Sequence, residues 1–199
     1  MPSSLTTAGR KNIDQILLNS NLTPQNIRII RQLIRRSIVE TITASGSVYL
    51  DDSGKIFLLT NGTGSVINIF LPSITVDLVG VAYTFFIQTG SDDGFNILAA
   101  GGGTSDGNDL FTGHLLLSRA GSSEVTAPVS PAPASGDNTI SLDSDLADSG
   151  GETGSIVKVT AIIAGDGGNQ NPGYWLCEGV VVTDATASPL AGAALFTAT

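Results

Sequence analysis

From Gly46 to its end the chain is cut by turn-forming residues into short runs of strand formers. The runs at 47–50, 55–60, 65–71, 82–88 and 95–99 are separated by segments such as Asp51-Asp52-Ser53-Gly54, Asn61-Gly62-Thr63-Gly64 and Ser91-Asp92-Asp93-Gly94. Further runs lie at 114–119, 138–142, 155–163, 173–177 and 179–183, with a weaker one at 193–197. The run at 65–71 alternates only in part, which predicts burial on both faces. Gly accounts for 24 of 199 residues, about 12% against a usual ~7%. This spacing predicts a mainly β fold, a compact β-sandwich or barrel of about ten short strands. No period of 20–50 residues repeats, which argues against a solenoid or propeller.

The first 45 residues follow a different period. Residues 8–19 carry Ile13, Ile16 and Leu17 at helical spacing, and Thr23-Pro24 supplies an N-cap with Pro at the first helical position. From 24 to about 40, Ile27, Ile30, Ile34 and Ile38 fall on one helical face, with Arg28, Arg31 and Arg35 along its edge. Ser37 stands where a long coiled coil wants an apolar residue. Two helices this short bury little alone. Residues 1–45 therefore read as a helical, basic docking arm, and 46–199 as a β-rich body. Within the body, residues 121–137 form a Pro/Ala/Ser-rich loop, expected to be exposed and mobile.

Charge divides along the same line. The arm holds six bases and two acids, whereas the body holds three bases and sixteen acids, within a net charge of −9. An acidic body repels phosphate backbones, and the arm has no aromatic residue to stack on bases, so nucleic acid is not the expected partner. Charged residues are only 14% of the chain, little for a well-solvated monomer surface. The most membrane-like segment, 69–87, is interrupted by Pro72, Asp77 and Gly80 and suits two strands better than a spanning helix. The opening residues lack the apolar stretch of a secretory signal. No membrane partner is expected.

The chemistry-bearing residues are few. One Cys excludes an internal disulfide and every Cys-rich zinc site, and one His excludes two-His metal motifs. The glycines at 101–103 and 149–154 lack the Lys-Ser/Thr that a phosphate-binding loop requires, so they read as turns. Asp106-Gly107-Asn108-Asp109 matches one unit of a calcium repeat that works only when stacked, and an Asx-type turn explains it more simply. His114 opens an apolar run with no nucleophile-elbow motif anywhere, and reads as partly buried. Cys177 reads as a small core residue. No catalytic, metal or cofactor site is expected.

The body also carries an order of segments. Gly46-Ser-Val-Tyr-Leu-Asp-Asp-Ser-Gly-Lys55 leads to Asn61-Gly-Thr-Gly64 and Val66-Ile-Asn-Ile-Phe-Leu-Pro72, then Asp77-Leu-Val-Gly80 and Ala82-Tyr-Thr-Phe-Phe-Ile-Gln88, and finally Gly173-Tyr-Trp-Leu-Cys-Glu-Gly179. This order resembles the small β-rich decoration, or cement, proteins of tailed bacteriophage capsids and related tail-fibre modules. The likeness covers residues 46–100 and 155–180. The loop at 121–137 and the Asp77-Leu-Val-Gly80 turn depart from it, and the arm lies outside it.

The resemblance implies a homotrimer on the capsid surface of the virion, made in the host cytoplasm and bound to the major capsid protein, where it bridges neighbouring subunits. The runner-up is a tail-fibre or receptor-binding module with an aromatic sugar-binding patch, for which Tyr49, Tyr83, Tyr174 and Trp175 are the available rings. A polysaccharide-degrading spike would need a long repeated β-helix. Ile27, Ile30, Ile34, Ile38, Arg28, Arg31 and Arg35 are the expected docking or oligomer contacts.

Overall fold

Alternation of apolar and polar residues builds the strands. In 82–89, Tyr83, Phe85 and Ile87 are buried while Thr84 and Phe86 are half-exposed. In 156–163, Val157, Val159 and Ala161 are buried in the same way. The computed structural model describes residues 39–61, 64–90, 94–99, 109–119, 132–134, 136–143, 149–165, 171–183 and 195–198. The expected arm contacts Ile27, Ile30, Ile34, Ile38, Arg28, Arg31 and Arg35 lie outside these residues, as does most of the 121–137 loop.

The strands are β1 (Val39–Ile42), β2 (Gly46–Ser47), β3 (Ile56–Thr60), β4 (Ile67–Phe70), β5 (Ala82–Thr89) and β6 (Phe95–Leu98), then β7 (Leu110–Arg119), β8 (Thr139–Leu142), β9 (Ile156–Ile163), β10 (Tyr174–Thr183) and β11 (Phe196–Thr197). They form two mixed sheets. The first has the order β1-β3-β5-β9-β10-β7, and the second β11-β8-β6-β4-β2. One core of buried side chains lies between them, with Phe57, Tyr83, Leu115 and Trp175 from the first sheet and Ile69, Phe95 and Ile140 from the second. The fold is therefore mainly β, and the membrane-like 69–87 segment is divided between the two sheets.

The topology corrects the reading against a coiled architecture. From β1 to β6 the chain changes sheet at every strand, and each strand pairs in parallel with the one two places earlier. The second and third coils stack at a constant step: Ile56 lies opposite Thr84, Ile67 opposite Phe95, and Asn68 opposite Asn96, 28 residues on. The Asn96 amide donates to the Asn68 side-chain oxygen at 3.1 Å, and the rings of Phe57 and Phe85 stack at 5.5 Å. Inside the paired strands of these two coils the identical pairs are Phe57/Phe85, Asn68/Asn96, Ile69/Ile97 and, past a one-residue register shift, Thr60/Thr89. The repeat is therefore one of burial and register rather than of letters. Beyond β6, antiparallel pairs of β8 with β6 and of β9 with β5 and β10 end the coil.

Three strand boundaries and one burial pattern also differ from expectation. The helical pattern was expected to run to about residue 40, yet Val39 and Glu40 belong to β1, so residues 39–42 extend the body's first sheet. β4 buries one face only: Ile67 and Ile69 point inward, while Phe70, of the opposite parity, remains 39% exposed. β7 starts four residues before His114, carried by its ten-residue parallel pairing with β10. The runs at 173–177 and 179–183 join into the single strand β10. Gly179 makes this continuity possible, since at φ 152° it lets the Ile156 carbonyl occupy the space a Cβ would need. Gly179→Ala is expected to lower the unfolding free energy by about 2–4 kcal/mol in urea denaturation. A loss within error of zero would contradict this account of the β9–β10 approach.

Candidate functional site

Lys55 immediately precedes β3, and its position alternates with the inward-facing Phe57 and Leu59, which turns a cation toward the interior. Its side chain is 9% exposed and is held between two carboxylates, Asp52 Oδ1 at 2.5 Å and Glu40 Oε2 at 2.6 Å. Asp52 is fixed in turn by the 3-10 turn Leu50–Asp52, where its other oxygen accepts the Tyr49 backbone N–H at 2.8 Å. The Tyr83 hydroxyl donates to the Tyr49 carbonyl at 3.0 Å, tying this turn to β5. Glu40 and Asp52 of the triad also line a groove of about 400 Å³ whose walls include Ile42, Gly46, Tyr49 and Phe57. Burial alone would lower the Lys55 pKa, but its hydrogen bonds to Asp52 and Glu40 outweigh that and hold the ammonium above the ordinary value.

At another edge of the core, Asp109 is almost fully buried. Its carboxylate accepts the Ile74 N–H at 2.7 Å and the Gly173 N–H at 3.1 Å, stitching the 71–81 connection to the start of β10. Gly173 is required here because a Cβ would strike the Asp109 carboxylate and press on Ile74. Burial raises the Asp109 pKa even though both backbone bonds oppose it. The expected Asx-type turn is thus replaced, at Asp109, by a bridge between distant segments. Asp106 and residues 101–103 lie outside the described residues.

The other candidates have structural duties. Around 149–155, the N–H groups of Gly151 and Glu152 both donate to Val182, and that of Gly154 donates to Ile87. Ser149 Oγ donates to the Ser141 carbonyl, and Ser155 Oγ accepts the Val182 N–H at 2.9 Å. A loop whose amides already meet carbonyls is a turn, not a phosphate cradle. Cys177 is wholly buried, its thiol donates to the Thr112 carbonyl at 3.1 Å, and burial pushes its pKa up to about 12. That keeps it a thiol and matches the expected core role. His114, expected to be partly buried, is exposed on the outer face of β7 opposite Glu178. Its neighbours Phe111, Leu115 and Leu117 take the inward positions.

Among the described residues no three His, Cys, Asp or Glu side chains converge as metal ligands. No helix among them is long and apolar enough to cross a membrane. Comparison with family models, with curated proteins and with solved structures finds no match. Sequence reasoning missed the Lys55 triad and the Asp109 bridge. The signal for the first was parity, a lone Lys in step with two core residues; Asp109 offered none, because its partners are backbone groups.

Two measurements check these assignments. The Lys55 pKa is raised, so its ion pairs stabilise the fold fully below the ordinary lysine value of 10.5 and lose that effect as pH climbs through the higher folded value. Buried Tyr83, whose pKa burial also raises, adds a decline in the same range. Lys55→Met should therefore flatten, without abolishing, the fall in stability between about pH 10 and 12. Asp109→Ala removes the acceptor of two backbone donors and should cost about 2–5 kcal/mol at neutral pH. Because the Asp109 pKa is raised, its contribution shrinks as pH rises from the ordinary carboxylate value of 3.8. The wild-type to Asp109→Ala difference should thus be larger at pH 4 than at pH 7 in urea titrations.

Proposed function

We propose that this chain is a virion structural protein that decorates an assembled phage capsid and stabilises it by bridging neighbouring capsid subunits. The observation that carries the reading is spatial. Four of the segments that carry the resemblance, far apart in the sequence, touch one another: Gly46 and Ser47 pair with Ile69 and Phe70. The Tyr83 ring lies 5.7 Å from that of Trp175, the Tyr83 hydroxyl binds the Tyr49 carbonyl, and Lys55 closes on Asp52 in the Asp-Ser-Gly-Lys turn. Segments that pack together in this way form one structural unit, as the reading needs.

The partners in this reading are the major capsid protein and further copies of the chain as a homotrimer, on the capsid surface of a virion assembled in the host cytoplasm. Arg28, Arg31 and Arg35 would meet acidic surface, and neither nucleic acid nor membrane takes part. No catalysis is proposed. Stabilisation follows from mass action, since a subunit that binds only the assembled shell lowers the free energy of that shell. The tail-fibre alternative is weaker on one specific count: Tyr83 and Trp175 are fully buried, which removes two of the four rings a sugar-binding patch would use.

Copy number tests the reading. Quantitative gels of purified particles should show hundreds of copies per particle, released together as the shell is dissociated. A handful of copies would assign the chain to the tail, and none would remove it from the virion.

A further inference from the structure

At its later end the coil of β1 to β6 is covered by the antiparallel strands β8 and β9. At its first turn it is not: β1 and β2 are terminal in their sheets, and no described strand lies beyond either. The Thr84 N–H donates to the Lys55 carbonyl at 3.2 Å, so odd-numbered residues of β3 turn their backbone groups to β5 and even-numbered ones to β1. With Val39 opposite Ile56, the N–H and C=O of Val39 and Thr41 then point away from β3, toward the uncovered edge. Val39 is 53% exposed, and Thr41 is exposed as well. On the second sheet the Val48 N–H donates to the Phe70 carbonyl, which leaves the Ser47 backbone on the outer side. The groove is lined from both of these strands, by Glu40 and Ile42 of β1 and Ser47 of β2, together with Val48, Tyr49 and Phe57.

We infer that this edge binds an extended segment of a partner protein, added in parallel beside β1, with a basic residue opposite Glu40 and an aliphatic residue opposite Ile42. The inference goes beyond the capsid reading and does not rest on it. Unpaired backbone groups along a strand edge are the chemistry that recognises another strand. Charge fixes the basic residue. Lys55 takes one oxygen each from Glu40 and Asp52, and Asp52 gives its other oxygen to the Tyr49 N–H. One ammonium between two carboxylates leaves one negative charge over. Glu40 Oε1 carries it, without a partner among the described residues and on a side chain 51% exposed. A strand laid beside β1 covers Glu40, and a covered carboxylate that lacks its cation is heavily penalised. Alternation fixes the aliphatic residue, because the position two places on faces the same way and meets Ile42 at the groove. The same count excludes β1 of a second copy, which brings another unpaired carboxylate and no cation.

Peptide binding to the full-length chain tests this. The probe is a capped heptapeptide, Thr-Thr-Lys-Thr-Ile-Thr-Thr, titrated into the isotope-labelled chain with amide hydrogen exchange followed by NMR. Exchange at the Val39 and Thr41 amides should slow as the peptide binds. Replacing the peptide's lysine by glutamate should weaken binding about tenfold, and Glu40→Gln in the chain should erase that preference. Methylating the peptide's isoleucine nitrogen, which would meet the Thr41 carbonyl, should abolish binding. Methylating the threonine between lysine and isoleucine, whose N–H points away from β1, should not. Thr41→Pro removes an outward N–H without touching the β1–β3 ladder and should also prevent binding; if that variant fails to fold, the two methylated peptides decide. No detectable binding overturns the inference, as does equal binding of the lysine and glutamate peptides. Val39 and Thr41 amides already slow to exchange in the free chain would mean that the chain itself or a second copy holds the edge, and overturn it too. None of these outcomes bears on copy number in particles, so the decoration reading stands or falls separately.

Discussion

The contact between the Tyr83 and Trp175 rings joins two halves of different construction. On one side are the coils made by β1 to β6, in which parallel neighbours stack Phe57 on Phe85 and Asn68 on Asn96. On the other are β7 to β11, where β10 pairs in parallel with the equally long β7 and antiparallel with β9. Tyr83 sits on β5, the last coil strand of the first sheet, and Trp175 on β10, across the intervening β9. Their rings meet inside the sandwich at 5.7 Å, with Phe57 beside Tyr83 at 6.4 Å. Aromatic contacts of this kind contribute about 0.5–1.5 kcal/mol each beyond the area they bury. More importantly, they hold β9 between two halves that could otherwise slide in register.

Polar groups do the same work at the rims. Lys55 fastens the first coil to the second through Glu40 and Asp52, and Asp109 fastens the 71–81 connection to β10. Both are charges drawn inward where an apolar residue would fill space without choosing a partner. A buried carboxylate with two N–H donors is tolerated in one arrangement of the chain and penalised in others, which makes it a device for selecting register.

Strand positions were legible because turns are written locally. Asp51-Asp52-Ser53-Gly54 and Ser91-Asp92-Asp93-Gly94 stop one run and start another whatever the topology. Sheet partners were not legible, because a strand's neighbour is decided by distant residues. Alternation in β3 and β5 reads the same whether they pair in parallel or antiparallel. The 28-residue step was hidden for a related reason: Ile56 opposite Thr84 and Phe70 opposite Leu98 preserve shape and face but not identity. Gly179 misled in the other direction. A glycine inside a run of strand formers usually marks a break, and here it marks a place where two backbones come too close for a side chain. Of the candidate sites, Cys177 and the 149–154 turn were legible from composition, whereas the arm residues have no structural counterpart among those described.

The coil architecture has a consequence for how such a body changes size. Each complete turn adds one strand to each sheet, about 4.8 Å of width, and presents the same kind of edge it covered. Inserting or deleting a whole turn would shift the first edge without disturbing the Tyr83–Trp175 contact and the Asp109 bridge that lock the far half. Thickness would then vary in fixed increments, like rungs added to a ladder whose top fittings stay in place. A chain built this way can change its width by counting turns rather than by redesigning its core.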